Sequence, residues 1–236
     1  MKSILHRAKT RGHANYGWLD THHTFSFARY YDPARMQFGA LRVLNDDVVE
    51  PGKGFSTHAH DNMEIISIPL AGALAHRDSA GHEEIIKRGD VQVMSAGSGI
   101  THSEYNASLT EQVNFLQIWA LPKEQNIKPR YEQKTFHQGD RVNKLQAVVS
   151  PDNEDSLRIH QDAWFFLSNM KKGFETEYQL QRKGDGVYLF VLEGSVAVAN
   201  EKLNRRDGLG IWETDNMKII AESNTEILLI EVPMQF

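Results

Sequence analysis

The sequence predicts an all-β protein, a sandwich or barrel. Three observations lead there. Short runs rich in β-branched and aromatic residues recur along the 236 residues, Gly, Asn, Asp and Pro punctuate them, and no segment sustains a helical apolar period. Leu41-Arg-Val-Leu44 is the first run, closed by the turn-forming Asn45-Asp-Asp47 and then Pro51-Gly52. Glu64-Ile-Ile-Ser-Ile68 follows and ends at Ala71-Gly72; Ser79-Ala-Gly81 and Arg88-Gly-Asp90 mark the next reversals. Val91-Gln-Val-Met94 runs into Ala96-Gly-Ser-Gly99, and Val113-Asn-Phe-Leu-Gln-Ile-Trp119 is the longest run of this half. Val187-Tyr-Leu-Phe-Val-Leu192 is the counterpart in the second half.

The stretch from Leu121-Pro122 to Ser150-Pro151 is polar, contains Pro129, and breaks this rhythm, so it reads as the connection between two β units. The expected division is 1–135 and 136–236. A weak internal repeat supports two units: Leu70-Ala-Gly72, Gly89-Asp90 and Trp119-Ala-Leu-Pro122 are echoed by Leu192-Glu-Gly194, Asp207-Gly208 and Ile230-Glu-Val-Pro233.

Composition narrows the function. Net charge is −5, which argues against direct nucleic-acid binding. The chain has no cysteine, which removes disulfides, thiolate metal sites and a cysteine nucleophile. Met1–Arg7 lacks the apolar core of a signal peptide, and no run is apolar enough to span a membrane. A cytoplasmic protein is expected, and a monomer, because barrel closure removes strand edges.

The chemistry is concentrated in His58-Ala-His60 and His102-Ser-Glu104. Residues i and i+2 of a strand share a face, so each pair directs two side chains the same way. On neighbouring strands, three imidazoles and a carboxylate would converge on one metal ion and leave coordination positions open. Glu64 is a second candidate for the carboxylate. His22, His23, His76, His82, His137 and His160 lack such a context and read as surface or loop residues. Phe25, Phe27, Phe38 and Phe55 read as pocket wall or simple core, and Arg7, Lys9 and Arg11 as a solvated basic face.

Gly52-Lys-Gly-Phe-Ser-Thr-His58-Ala-His60 through Glu64 to Gly72 resembles the first cupin motif, and Gly89 through His102 to Asn106 the second. His13-Ala-Asn-Tyr-Gly-Trp-Leu-Asp20, Thr24-Phe-Ser-Phe27, Leu41–Asp47 and Met94-Ser-Ala-Gly-Ser-Gly-Ile-Thr-His-Ser-Glu104 are similar, more specifically, to the pirin family. The resemblance covers nearly the whole chain. It implies two tandem cupin barrels of jelly-roll type, the N-terminal one metal-binding and the C-terminal one degenerate. Counting without gaps from Gly194 places the second-unit equivalents of His58 and His60 at Leu180 and Arg182, and that of His102 at Ile219 or Ile220. The resemblance also implies His58, His60, His102 and Glu104 as ligands of one divalent transition metal, Fe(II) foremost, with Cu, Ni, Mn, Co and Zn as alternatives.

The implied activity is flavonol cleavage by O2 with release of CO, as in quercetin 2,3-dioxygenases, with Glu104 as ligand or as the base for the substrate hydroxyl. The alternative is a metal- and redox-sensitive regulatory module acting on a protein partner. Ala71 stands where resembling sequences more often carry glutamate, at a strand-end turn remote from the ligands.

Overall fold

Period-two alternation and frequent turns produce β-strands throughout, with only short 3-10 segments between them, in a computed structural model that describes residues 1–235. The first half contains β1 (Lys2–His6), β2 (Gly12–Asn15), β3 (Leu19–His23), β4 (Leu41–Val49), β5 (Gly54–His60), β6 (Glu64–Ala71), β7 (Ala73–Asp78), β8 (Glu83–Lys87), β9 (Asp90–Ser95), β10 (Ile100–Asn106), β11 (Val113–Ala120) and β12 (Arg130–Thr135). The second contains β13 (Gln146–Ser150), β14 (Leu157–Arg158), β15 (Trp164–Met170), β16 (Glu175–Gln179), β17 (Asp185–Glu193), β18 (Ser195–Val198), β19 (Glu201–Asn204), β20 (Gly208–Trp212), β21 (Asn216–Ala221) and β22 (Thr225–Pro233).

Each half pairs a seven-stranded sheet with a four-stranded one. In the first the orders are β12-β9-β6-β11-β4-β3-β2 and β5-β10-β7-β8; in the second, β1-β20-β17-β22-β15-β13-β14 and β16-β21-β18-β19. The orders correspond strand for strand, so the repeat glimpsed through Gly72 and Gly194 is a repeat of topology. Both glycines sit at positive φ (+72° and +82°) in the turn that carries the chain from the seven-stranded to the four-stranded sheet, where a Cβ would also meet backbone within 3 Å.

One edge strand crosses between the halves. β1, from the extreme N-terminus, pairs with β20 of the second sheet, whereas β12 pairs with β9 of the first. The stretch expected to be only a connection therefore holds β12 and β13, and the 135/136 division falls directly after β12. Pro129 and Pro151 lie just outside these strands, where missing N–H donors cost no ladder bonds.

The two seven-stranded sheets face each other. Ile66, Ile68, Leu116 and Ile118 of the first pack with Phe165, Phe190, Leu228 and Ile230 of the second in one buried cluster that also holds Phe25 and Phe38. An ion-paired cluster crosses this layer. Asp46 accepts from Arg206 (2.9 Å) and Arg11 (3.4 Å), with side chains 11%, 5% and 6% exposed, so Arg11 is an inter-barrel residue and not part of a solvated face. Asn45-Asp-Asp47 proves to be strand, not turn. Each polar side chain finds a partner away from its own strand: Asn45 with His23, Asp46 with Arg206, Asp47 with Thr21. Such pairing removes the cost that would otherwise expel these residues to a loop.

Candidate metal centre

The first barrel has an apolar floor, where Leu19, Val49, Leu74, Ile86, Val113 and Phe115 meet Trp18 and Phe55. Above the floor the interior turns polar. β5 and β10 are hydrogen-bonded neighbours, with His102 opposite His58 and Ile100 opposite His60. Along β10, Ile100, His102, Glu104 and Asn106 are buried while Thr101 and Tyr105 are exposed, so the i, i+2 rule places His102 and Glu104 inward together. A register irregularity between His102 and Glu104 sets Glu104 opposite Phe55.

The three histidines converge. Ring centroids are 4.5 Å apart for His58–His102, 4.8 Å for His58–His60 and 4.9 Å for His60–His102, and one ring nitrogen from each lies within 4.8 Å of the others. His58 Nδ1 donates to the Ser56 carbonyl at 2.8 Å, which fixes its tautomer and leaves Nε2 as the lone-pair donor. His102 is 1% exposed, and among the described residues neither of its ring nitrogens has a hydrogen-bond partner. A buried imidazole with both nitrogens unsatisfied is costly unless something else uses them, and a cation that accepts lone pairs does so. Three neutral imidazoles without thiolates suit a divalent transition metal in an open site rather than a closed structural zinc site.

For His102 and His60 the fold itself favours the neutral ring. Burial, reinforced by the neighbouring imidazoles His58, His60 and His76, pushes the His102 ring down to about 2; burial and His58 push His60 down to about 4. His58 and His60 remain partly exposed, so the cluster opens to solvent on the β5 side. Trp119 stands edge-on to His60 at 5.0 Å, and Phe27 stands edge-on to Trp119 at 5.3 Å. Met63, Trp119 and Tyr131 pack on Ile65, Met94, Ala96 and Ile100 to complete an apolar rim. Of the four phenylalanines considered from sequence, only Phe27 joins this rim.

Glu104 lies one step deeper. Its Oε1 accepts from Ser67 Oγ at 3.0 Å and its Oε2 from Gln117 Nε2 at 2.6 Å. Burial raises its carboxyl to about 7 against the pull of these two hydrogen bonds. Its carboxylate clusters with His102 and His76, within 4.8 Å, and the His58/His60 nitrogens fall outside that group. Asp47, close by, is likewise raised to about 7, chiefly by burial and in part by Glu104, with the Thr21 hydroxyl pulling the other way. Glu64 belongs to the opposite face of its sheet, beside Ile66 and Ile68 in alternation; its Oε2 accepts from Ser95 Oγ (2.9 Å) and from the His160 backbone N–H (3.3 Å). It clamps the second half of the chain and does not cluster with the histidines.

His76, expected at the surface, is buried. Its ring centroid is 5.4 Å from that of His102, Nε2 donates to Asp78 Oδ2 (3.2 Å), and Tyr131 stacks on it at 4.7 Å. His82 donates from Nδ1 to the same carboxylate at 2.9 Å and also stacks on Tyr131. The available signal was His76-Arg-Asp78, another i, i+2 pair shortly after Gly72. His23 is also buried, against Asn45. Asn106 serves the loop by donating to the Val49 and Glu111 carbonyls. His13, Asp20 and His22 form a separate surface group in which His13 Nε2 donates to Asp20 at 2.8 Å.

The second barrel has no such interior. Leu74 opposite Asn106 and Val196 opposite Ala221 each lie two residues beyond the turn glycine, which aligns β10 with β21. Glu104 then corresponds to Ile219 and His102 to Met217; Tyr178, opposite Met217, takes the place of His58 and Leu180 that of His60. The positions counted without gaps are offset because the turns differ in length. Met217 and Ile219 are buried in an apolar cluster that Leu180 packs against, and Tyr178 donates to Glu231 at 2.6 Å.

Comparison with known proteins agrees with this architecture. The family model "Pirin" matches residues 5–120, and that of the "Quercetinase C-terminal cupin domain" matches 147–232. A quercetin 2,3-dioxygenase of Escherichia coli is 47% identical over 230 residues, covering 97% of this chain and 98% of that protein. A pirin-like protein of Caulobacter vibrioides is 43% identical, covering 93% of this chain and 95% of that one. The crystal structure of the bacterial pirin YhhW of Escherichia coli in complex with nickel(II) superposes with a TM-score of 0.93 at 45% identity, covering 98% of this chain and 99% of that one.

Proposed function

The chain belongs to the pirin family, and from that premise we propose that it is a metal-dependent dioxygenase that cleaves flavonols such as quercetin with O2 and releases CO. One observation carries the reading. His58, His60 and His102 converge at a mouth open to solvent, with both His102 nitrogens free of protein partners, in a chain 47% identical to a quercetin 2,3-dioxygenase. We assign His58, His60, His102 and Glu104 as the metal ligands and Fe(II) as the cellular metal. In such a set the metal supplies Lewis acidity and redox capacity, with coordination positions left for substrate.

The protein's own groups do the rest. His58 is held in one tautomer by Ser56, so its free nitrogen faces the cluster. Trp119, Phe27 and Met63 offer a flat apolar rim beside His60, suited to the fused rings of a flavonol, and the buried Trp119 Nε1–H has no protein acceptor among the described residues. Glu104, buried beside His102, is placed to take the flavonol 3-hydroxyl proton. The accepting atom is Oε1. Ser67 can turn its hydroxyl from Oε1 to Gln117 Oε1, 3.2 Å away, and free that oxygen while Gln117 Nε2 keeps hold of Oε2.

No helix is long and apolar enough to cross a membrane. A cysteine-free chain with its strands closed into barrels fits a monomer working in the cytoplasm, where we place it. The test is to load metal-free protein anaerobically with one metal at a time, then add O2 and quercetin. Quercetin is expected to bleach with at least one metal, and the activity to vanish in His102→Ala; no bleaching with iron, copper, manganese, cobalt or nickel contradicts the proposal.

A further inference from the structure

We propose that the cleft between the two barrels, which shares no lining residue with the histidine cluster, binds a small organic monoanion: a carboxylate on a compact apolar body, held by Arg141. The cleft encloses about 350 Å³, within the usual range for small-molecule sites. Ile68 and Leu70 of the first barrel and Leu167 and Leu192 of the second form its apolar walls, and four arginines reach it.

Three of those arginines carry their own carboxylate. Arg88 pairs with Glu226 at 3.2 Å, Arg205 with Glu193 at 2.9 Å and Arg206 with Asp46 at 2.9 Å. Arg141 does not. It is 5% exposed, its Nε donates to the neutral Asn169 Oδ1 at 3.0 Å, and no carboxylate among the described residues lies within 4.0 Å of it. Its Nη1 is buried without an acceptor. Asp90, also on the wall, has its oxygens engaged by Lys87 N–H, Gln133 and Thr135, and Glu226 acts on Arg141 only from beyond contact distance.

A buried guanidinium cannot shed its charge and is costly to leave unpaired. Of the four arginines Arg141 alone has no carboxylate in contact among the described residues, so one carboxylate would complete the pairing, which favours a monoanion. The planar fork of Arg141 matches a carboxylate, and the leucine and isoleucine walls favour an organic body over a bare inorganic ion.

The experiment uses the full-length, metal-loaded protein with benzoate, phenyl phosphate and inorganic phosphate as separate probes, read by calorimetry and by shift in Tm. Benzoate is expected to bind saturably and raise Tm. Arg141→Met should weaken benzoate at least about tenfold, the loss expected for a charge-assisted bidentate contact. Glu226→Gln, which removes a competing negative charge, should tighten it. Should Arg141→Met fail to fold, Arg141→Lys (weaker benzoate binding) and Glu226→Gln (tighter) carry the test. Phenyl phosphate or inorganic phosphate binding in preference to benzoate, benzoate binding indifferent to these substitutions, or no binding of benzoate overturns the proposal. None of these outcomes bears on the histidine site.

Discussion

Glu64 and Glu104 are both 1% exposed, and burial raises both to about 7, yet their neighbours give them different duties. Glu104 lies beside His102 and is clasped by Ser67 and Gln117; Glu64 holds the His160 backbone and Ser95. Glu104→Ala is therefore expected to lower bound metal, measured by elemental analysis of the purified protein. Glu64→Ala should keep its metal and instead lose roughly 1–3 kcal/mol of stability, because Ser95 Oγ and the His160 N–H lose their acceptor. The reverse pattern of metal contents would show that the carboxylate ligand is Glu64. Three of the clustered histidines were legible in the sequence because i, i+2 spacing is local. His76 was not, since its place beside His102 arises from the pairing of β7 with β10, a non-local contact that no single run of residues encodes.

Edge strands give single elements unusual weight. β1 adds an edge to the second sheet and carries His6, which is 4% exposed with Nδ1 2.8 Å from the Tyr188 hydroxyl. Burial and Arg35 push the His6 ring from 6.5 down to about 4. The folded state therefore takes up this proton less readily than the unfolded chain. His6's contribution is intact above about pH 6.5 and declines as pH falls toward 4, by roughly 3 kcal/mol in all. Urea unfolding across this window should show a gentler acid decline for His6→Phe than for the parent protein; identical slopes would remove His6 as the cause. β12 closes the corresponding edge of the first sheet, beside β9. Both were hidden in the sequence for one reason: an edge strand needs little apolar patterning of its own. Arg130–Thr135 shows no residue buried, and β1 buries only His6. The full length of β4 is masked in the sequence for the opposite reason, since its polar residues Asn45, Asp46 and Asp47 are buried and satisfied from other strands.

Across the whole molecule, the apolar layer between the barrels and the ion pairs that cross it make two topological copies one cooperative structure. Asp46→Ala would strand Arg206 and Arg11 in that layer without their carboxylate and should cost roughly 3–5 kcal/mol, read as a lowered Tm for a single transition. Two separate transitions would show instead that the barrels unfold independently. The division of labour was visible in the sequence as one half bearing histidine pairs and the other bearing none, whereas the matching positions, Tyr178, Leu180, Met217 and Ile219, needed the strand registers. The second barrel filled its interior with apolar side chains, and the first kept a polar one that is costly to maintain without a ligand. Oxygenation at that polar interior has a stoichiometric signature. It is tested most directly by following quercetin loss, O2 uptake and CO release together in protein loaded anaerobically with Fe(II). Equal molar amounts of all three are expected, abolished together in His60→Ala; quercetin loss without matching O2 uptake and CO release, or persisting in His60→Ala, would rule out dioxygenation at the histidines.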